Sequence, residues 1–188
     1  MIETCPAFIE HSLVHFRQRF EWDCGLSCIV MLLDRKEKIN FLANFEEICK
    51  AAAFKESTWT IDLCYILKDL GIKHKYLTTT FGANPTHIGK KYYKCFDKDQ
   101  TRVNQKFQNA ESDGIPIEIR SCFGLKSAYM GHYIILCGYD QRIRKFIYRN
   151  PAFKNKVCFM SFEAIESARK ASGTDEDIVL IYDKKTVI

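Results

Sequence analysis

The sequence predicts an α+β fold in which N-terminal helices pack on a mostly antiparallel sheet. Through about residue 110, apolar residues mostly recur at intervals of three and four, the period of a helix with one buried face. After residue 115, short runs rich in β-branched and aromatic residues alternate with turn residues, which is typical of strands. Helices and strands that are segregated along the chain favour an α+β arrangement over an alternating α/β one.

Length and composition indicate one soluble globular domain spanning residues 1–188. A chain of this length buries roughly 70% of the surface that it exposes when unfolded. Apolar residues make up 47% and charged residues 27%, and no apolar run approaches the roughly 18 residues of a membrane span. The opening residues, MIETCPAF, lack the basic and apolar regions of a secretory signal, so we expect the protein in the cytoplasm.

The charge distribution argues against two classes of partner. The net charge of +5 is small, and the basic residues are dispersed rather than collected in one stripe. Proteins that bind nucleic acid concentrate such charges in a patch. We therefore expect neither nucleic acid nor a membrane as a partner, and the oligomeric state is left open.

The first helix is predicted to begin at Cys24, with Asp23 as its N-cap. The apolar residues that follow have the i, i+3, i+4, i+7 spacing of a buried face: Leu26, Ile29, Val30 and Leu33. Similar spacing predicts helices over 41–53, over TWTIDLCYILKDLG, which stops at Gly71, and over DQTRVNQKFQNA, which Asp99 opens.

Six strands and one further helix are expected in the order of the chain. The strand-like segments are 72–79, 115–120, 132–139, 145–149, 156–161 and 177–183. The sequence YDQRIRK between two of them predicts a hairpin loop, and a helix over about 162–171 interrupts the run of strands.

The nine cysteines do not form a recognisable framework. They are scattered, odd in number and contain no CxxC pair, which differs from both a disulfide scaffold and a zinc ribbon. Cys24 and Cys28 share one predicted helix face, but no second pair completes a metal site. We expect reduced thiols and neither a metal nor another cofactor.

A glutamine stands six residues ahead of the cysteine that opens the first helix. In QRFEWDC, Gln18 precedes Cys24. A cysteine nucleophile needs a lowered pKa, a group that accepts and returns its proton, and donors for the oxyanion. A helix N-terminus supplies only part of the required lowering of the pKa, so a histidine partner is needed. Cys24 is the candidate nucleophile, expected as a thiolate, and the Gln18 amide is the candidate oxyanion donor.

His132 is the histidine best placed to be that partner. In GHYIILCGYD it follows Gly131 and opens a predicted strand, where an imidazole would be held rigidly. Asn150, in RNPA, ends the next strand, and its side chain there would bond the ring and fix the tautomer. The predicted catalytic residues are Gln18, Cys24, His132 and Asn150.

Three neighbours are predicted to contact the substrate: Trp22, Asp23 and Gly131. Each candidate also has an ordinary structural explanation. Asp23 suits a helix cap, Trp22 suits packing, and Asn150 before a proline suits a turn. Cys24 would otherwise be a small apolar residue under the helix, and His132 a hydrogen-bonded core histidine.

The order Gln, Cys, His, Asn resembles that of papain-like cysteine peptidases. The closer local resemblance is to bacteriocin-processing leader peptidases, in which a Gln precedes DCG and a later GHY strand leads to an Asp-Pro pair. The resemblance implies a papain-like fold with Cys24 as nucleophile, Gln18 as oxyanion donor, His132 as base and Asn150 in the third position. The leader peptidases carry Asp in that position. In this sequence the partner of the ring is Asn150, which is neutral, as in papain.

Longer stretches are similar to the guanylyl cyclase domain-containing family of plants and animals. They are WDCGLSC, STWTIDLCYILKDLGIKHKY, TRVNQKF, GHYIILCGYD, NPA and GTDEDIVLIY. The family's name implies formation of cyclic GMP from GTP. Cyclases hold divalent metal with two carboxylates, and SGTDED supplies Asp175, Glu176 and Asp177. No Gly-rich phosphate loop accompanies them, and we expect an exposed acidic turn there instead.

The residues together predict an intracellular thiol hydrolase that cleaves an amide or isopeptide bond in a peptide or protein. Two alternatives stay open at this point. One is a guanylyl cyclase, and the other is a non-catalytic protein-interaction module on the same fold.

Overall fold

The computed structural model describes residues 5–52, 57–90, 93, 95–120 and 131–182. The helices are α1 (Cys24–Leu32), α2 (Arg35–Ala43), α3 (Phe45–Ala51), α4 (Thr60–Asp69), α5 (Phe96–Asn109), α6 (Phe162–Arg169) and a 3-10 turn at Pro85–His87. The strands are β1 (Phe8–Glu10), β2 (His74–Thr78), β3 (Ile117–Ile119), β4 (Ile135–Asp140), β5 (Lys145–Arg149), β6 (Val157–Ser161) and β7 (Ile178–Ile181). An α+β architecture rich in antiparallel pairing is confirmed.

Contacts divide the chain into two compact units, each made of two segments. Unit 1 combines Met1–Asp34 with His132–Arg169, and unit 2 combines Arg35–Gly131 with Lys170–Ile188. That the whole chain is one domain stays a prediction. In the described part of the chain, no helix is long and apolar enough to cross a membrane.

Unit 1 is built on a four-stranded antiparallel sheet of order β1-β4-β5-β6. The predicted hairpin joins β4 to β5 through residues 141–144, and Arg144 has the left-handed backbone of its turn. Helix α6 packs on β5 and β6, and the Phe146 and Phe162 ring centroids lie 4.7 Å apart. Helix α1 is buried on nearly all sides, as expected for a helix that is apolar around its circumference.

The strand β1 was not predicted from the sequence because it has only three residues and no alternating pattern. It pairs with β4, and Gly138 faces Glu10 across this pair. A Cβ built at Gly138 would overlap the Ile9 carbonyl oxygen and lie 2.9 Å from Glu10 Cα. Glycine is therefore required at this position for the two backbones to approach.

Unit 2 is built on a three-stranded sheet of order β3-β2-β7, in which β2 is parallel to β3 and antiparallel to β7. Helix α4 ends at Asp69, and Gly71 is the C′ residue of a Schellman motif, as predicted for this glycine. Gly71 N–H donates to Lys68 O, Ile72 N–H donates to Leu67 O, and Gly71 has the left-handed φ of +69°.

A buried ionic cluster joins α4 to α5. Asp62 is fully buried, and its Oδ1 accepts hydrogen bonds from Arg102 and from Lys106 Nζ at 2.8 Å. Arg102 also pairs with Asp99 at 3.0 Å. Removing one member of such a cluster leaves the others charged and buried, which typically costs about 3–5 kcal/mol.

Two helix boundaries differ from the prediction. The segment 41–53 was predicted as one helix, but α2 begins at Arg35 and a break at Asn44 separates it from α3; residue 53 lies outside the described residues. At the break, Asn44 Nδ2 donates back to Asn40 O at 2.9 Å, a local bond that competes with helix continuation. Asp99 was predicted to open α5, which instead begins at Phe96, because Asp99 is buried as an acceptor for Arg102 and the Trp59 indole.

We predict that Gly138→Ala destabilises the protein by about 2–4 kcal/mol, because the added methyl group must push β1 away from β4. The free energy of unfolding, measured by urea denaturation, should fall accordingly. Gly71→Ala is the matched control: its Cβ would meet nothing within 4 Å, so only the left-handed backbone, about 1–2 kcal/mol, opposes it. Equal losses in the two variants would contradict the close-approach argument.

Candidate active site

The segment that precedes α1 is held by one buried carboxylate. Asp23 Oδ1 accepts the Phe20 N–H at 3.0 Å, and both carboxylate oxygens lie 3.2 Å from the Arg19 N–H. Asp23 occupies the N-cap position, but its side chain makes no capping hydrogen bond. The prediction of a capping side chain is therefore wrong, because this carboxylate turns back to close the preceding turn and fixes the approach to Cys24.

Cys24 is the first residue of α1 and is only 1% exposed. The backbone N–H groups of Tyr133 and Gly25 lie close enough to its sulfur to lower the pKa of the thiol. The first contact places the thiol beside the residue that follows His132. The Gly25 N–H belongs to the first turn of the helix, where backbone donors have no partner within the helix.

Burial raises the pKa of the Cys24 thiol above its ordinary value. The backbone donors of Tyr133 and Gly25 lower this pKa, and the nearby Asp23 carboxylate raises it again, so the net direction is upward. The thiolate expected at neutral pH is therefore not found. The sequence showed the helix N-terminus but did not show that the first turn of the helix is buried.

Asn150 determines which nitrogen of His132 carries hydrogen. Asn150 Oδ1 lies 2.9 Å from the Ala152 N–H and 2.8 Å from His132 Nε2. A backbone N–H can only donate, so the side-chain atom of Asn150 that faces Ala152 must be the amide oxygen and not the amide nitrogen. Because this oxygen can only accept, His132 Nε2 must donate to it. The neutral ring then keeps a lone pair on Nδ1, which is the proton acceptor that a nucleophilic thiol requires. Asn150 thus acts both as the turn residue and as the partner of the ring.

His132 lies before the strand rather than at its first residue. The prediction placed it at the start of a strand over 132–139, but β4 begins at Ile135 and the His132 side chain is exposed. The His132 ring is therefore held by its hydrogen bond to Asn150 and not by a position in the sheet.

Gln18 lies beside the turn that contains Asn150 and Pro151. Its backbone N–H donates to Pro151 O at 2.9 Å, next to Asn150. Its side-chain Nε2 donates to Phe20 O at 2.8 Å, which occupies one of the two amide hydrogens, while Oε1 is buried without a hydrogen-bond partner in the described structure. The four predicted catalytic residues thus lie within one unit.

The remaining predicted substrate contacts are flanking residues. Trp22 is partly buried and stacks on Phe20 with ring centroids 5.5 Å apart and planes 3° from parallel. Gly131 is also partly buried. Their contact with a substrate stays a prediction.

The acidic turn in unit 2 is a second cluster of titratable groups, and it is not the exposed turn that we predicted. His87 is 1% exposed, and its Nε2 lies 3.0 Å from Asp175 Oδ2. Asn84 donates to the other carboxylate oxygen. The Asp175 backbone is left-handed, as is that of Glu176. No sequence signal connects residues 87 and 175, because loop and turn positions so far apart carry no shared period.

Asp177 continues this cluster. Its Oδ2 accepts hydrogen bonds from Thr60 and from Tyr76 at 2.9 Å, while Oδ1 is buried without a hydrogen-bond partner in the described structure. Burial raises the pKa of Asp177 to about 7; hydrogen bonds from Thr60 and others lower it, and the Asp175 carboxylate raises it further. Among the described residues, no three His, Cys, Asp or Glu side chains converge to hold a metal ion.

Fold and site together define an α+β protein with a candidate thiol nucleophile, and comparison with known proteins gives its family. A family model described as guanylylate cyclase matches residues 13–122 and 117–181. Guanylyl cyclase 1 of Arabidopsis thaliana is 32% identical over 216 aligned residues, which cover 94% of this chain and 77% of that protein. The chain belongs to this guanylyl cyclase family. No solved structure matches it, so the papain-like fold stays a prediction.

We predict that stability falls as the pH rises from about 4 to about 7. Over this window the folded protein retains the Asp177 proton that the unfolded chain loses near pH 3.8, so deprotonation favours unfolding until the pH passes about 7. Asp177→Asn should flatten this slope, which urea denaturation at several pH values measures. Glu176→Gln removes a carboxyl from the same turn and should leave the slope unchanged. A slope that persists in Asp177→Asn would refute the assignment.

Proposed function

We propose that Cys24, His132, Asn150 and Gln18 form an acyl-transfer site that hydrolyses an amide or isopeptide bond in a peptide or protein. Three contacts link the segments that carry them: Cys24 Sγ with Tyr133 N–H, His132 Nε2 with Asn150 Oδ1, and Gln18 N–H with Pro151 O. The bond between His132 and Asn150 is the observation that carries the proposal, because it leaves Nδ1 as a base in the segment beside the thiol.

The neutral thiol implies general-base catalysis rather than a preformed ion pair. As Sγ attacks the substrate carbonyl carbon, the thiol proton passes to His132 Nδ1. Backbone N–H groups at the start of α1 and the second Gln18 amide hydrogen receive the oxyanion. The imidazolium then protonates the leaving amine, and water hydrolyses the thioester with His132 again as the base. Asn150 accepts from Nε2 throughout and holds the ring in one orientation.

A second candidate function is the formation of cyclic GMP from GTP. The family description and the name of the Arabidopsis relative support this activity directly, whereas they give no support to peptide-bond hydrolysis. In this chain the carboxylates available for divalent metal would be Asp175 and Asp177, which now accept hydrogen bonds from His87, Asn84, Thr60 and Tyr76. Metal binding would have to replace some of these donors.

The acyl-transfer proposal predicts that p-nitrophenyl acetate acylates Cys24. Stopped-flow release of p-nitrophenolate, with mass spectrometry to locate the acetyl group, measures the reaction. His132→Ala should slow acylation by about a hundredfold or more, since it removes the base. Cys24→Ala should abolish acylation at this site.

Two matched variants control for another histidine and another thiol of unit 1. His11→Ala removes an exposed histidine and Cys5→Ala removes an exposed cysteine, and both should react like the parent protein. Equal acylation rates in His132→Ala and His11→Ala would refute the assignment of His132 as the base.

The cyclase candidate predicts cyclic GMP from GTP with Mg²⁺ or Mn²⁺, in an amount that Cys24→Ser leaves unchanged and Asp175→Asn reduces. An immunoassay for cyclic GMP on the purified protein and both variants tests this. Loss of product in Cys24→Ser would contradict a cyclase site separate from the thiol. Absence of product from the parent protein would rule out the second candidate, and absence of acylation as well would leave the non-catalytic interaction module.

A further inference from the structure

The turn at residues 150–153 is bonded at two points to the N-terminal segment of unit 1. His15 Nε2 lies 2.7 Å from Phe153 O, and the Gln18 backbone N–H donates to Pro151 O at 2.9 Å. A carbonyl oxygen can only accept, so His15 Nε2 carries hydrogen and donates. These two hydrogen bonds are here called the turn clamp.

Two further hydrogen bonds, inside the turn, connect the clamp to the candidate base. The Phe153 N–H donates to Asn150 O at 3.2 Å, and the Ala152 N–H donates to Asn150 Oδ1 at 2.9 Å. The same Oδ1 accepts from His132 Nε2 at 2.8 Å. Phe153 therefore bonds His15 through its carbonyl oxygen and Asn150 through its N–H. A continuous series of contacts runs from the His15 ring to the His132 ring.

His15 supplies the half of the clamp that depends on a side chain. Gln18 donates from its backbone, which any residue except proline can do, whereas His15 donates from its ring. The His15 side chain is partly buried, and its Nδ1 is buried without a hydrogen-bond partner in the described structure. Residues 152–156 are exposed, so hydrogen bonds rather than apolar packing hold this side of the turn.

We propose that His15 is a positioning residue for the candidate base. By donating to Phe153 O, it holds the turn at which Asn150 keeps the His132 ring with hydrogen on Nε2 and a lone pair on Nδ1. This inference rests on the acyl-transfer function proposed above, and it adds a residue that acts through Asn150 rather than at the reacting atoms. Loss of the bond frees the turn, and the His132 ring is then correctly oriented for a smaller fraction of the time.

Acylation of Cys24 by p-nitrophenyl acetate tests whether the hydrogen bond from His15 matters. His15→Ala should slow acylation by about tenfold or more, because fewer molecules hold the base in its productive orientation. His15→Gln keeps a side-chain N–H near the place of Nε2 and should stay within about threefold of the parent rate. His11→Ala, which removes an exposed histidine from the same segment, is the matched control and should react like the parent protein. Equal rates in His15→Ala and the parent, or equal slowing in His15→Ala and His15→Gln, would overturn the proposal.

A double-mutant cycle separates positioning from a general loss of stability. Residues that act independently have additive effects, whereas residues that act through each other do not. His15→Ala should cost about tenfold when Asn150 is present and less than about twofold in an Asn150→Ala background. The same cost in both backgrounds would show that His15 does not act through Asn150, and the proposal would be wrong.

NMR of the His132 ring nitrogens, in protein made with isotope-labelled histidine, tests the clamp without catalysis. At about pH 8.5 an ordinary imidazole is neutral, and the two nitrogen shifts report which nitrogen carries hydrogen. His15→Ala should move these shifts toward those of Asn150→Ala, and His15→Gln should keep the parent values. Parent shifts in His15→Ala overturn the clamp even where acylation proceeds. Absence of acylation in the parent protein overturns the acyl-transfer function and the catalytic role of His15, whatever the shifts show.

Discussion

The hydrogen-bond capacity of one amide oxygen governs the chemistry of the candidate site. Asn150 Oδ1 accepts from a backbone N–H, and this removes any freedom in how the amide is oriented. The ring of His132 can then bond it only as a donor, which leaves the opposite nitrogen basic. An aspartate would also have accepted from Nε2, but its negative charge would have favoured an imidazolium. The neutral asparagine therefore suits a base that is uncharged until the reaction begins.

Burial and the helix N-terminus act in opposite directions on the nucleophile. The start of α1 offers N–H donors that favour a sulfur anion, but the sulfur is enclosed and lies near the Asp23 carboxylate, and both features favour the thiol. Burial has the larger effect on the pKa of the thiol. A buried, neutral thiol resists oxidation and indiscriminate alkylation.

The sequence predicted those features that depend on neighbours in the chain. The start of α1, the hairpin and the stop at Gly71 follow from apolar spacing and turn chemistry, and the structure confirms them. The sequence did not predict the Asn44 break, the strand β1 or the hydrogen bond between His87 and Asp175, because each depends on a partner or competing bond that periodicity does not encode. The candidate site was predicted from the sequence only in part. Residue types and order suggested it, whereas the charge state of the thiol depended on burial.

The interleaved composition of the two units has a consequence for synthesis on the ribosome. Each unit joins an early segment to a late one, and β7, the last strand, completes the sheet of unit 2. The nascent chain must therefore carry α1 through the translation of residues 35–131 before the later segment of unit 1 emerges. Long-range pairing of this kind slows folding and exposes apolar surface meanwhile. The largely apolar helix α1, whose residues are mostly buried in the folded protein, stays without the later segment of unit 1 during that interval.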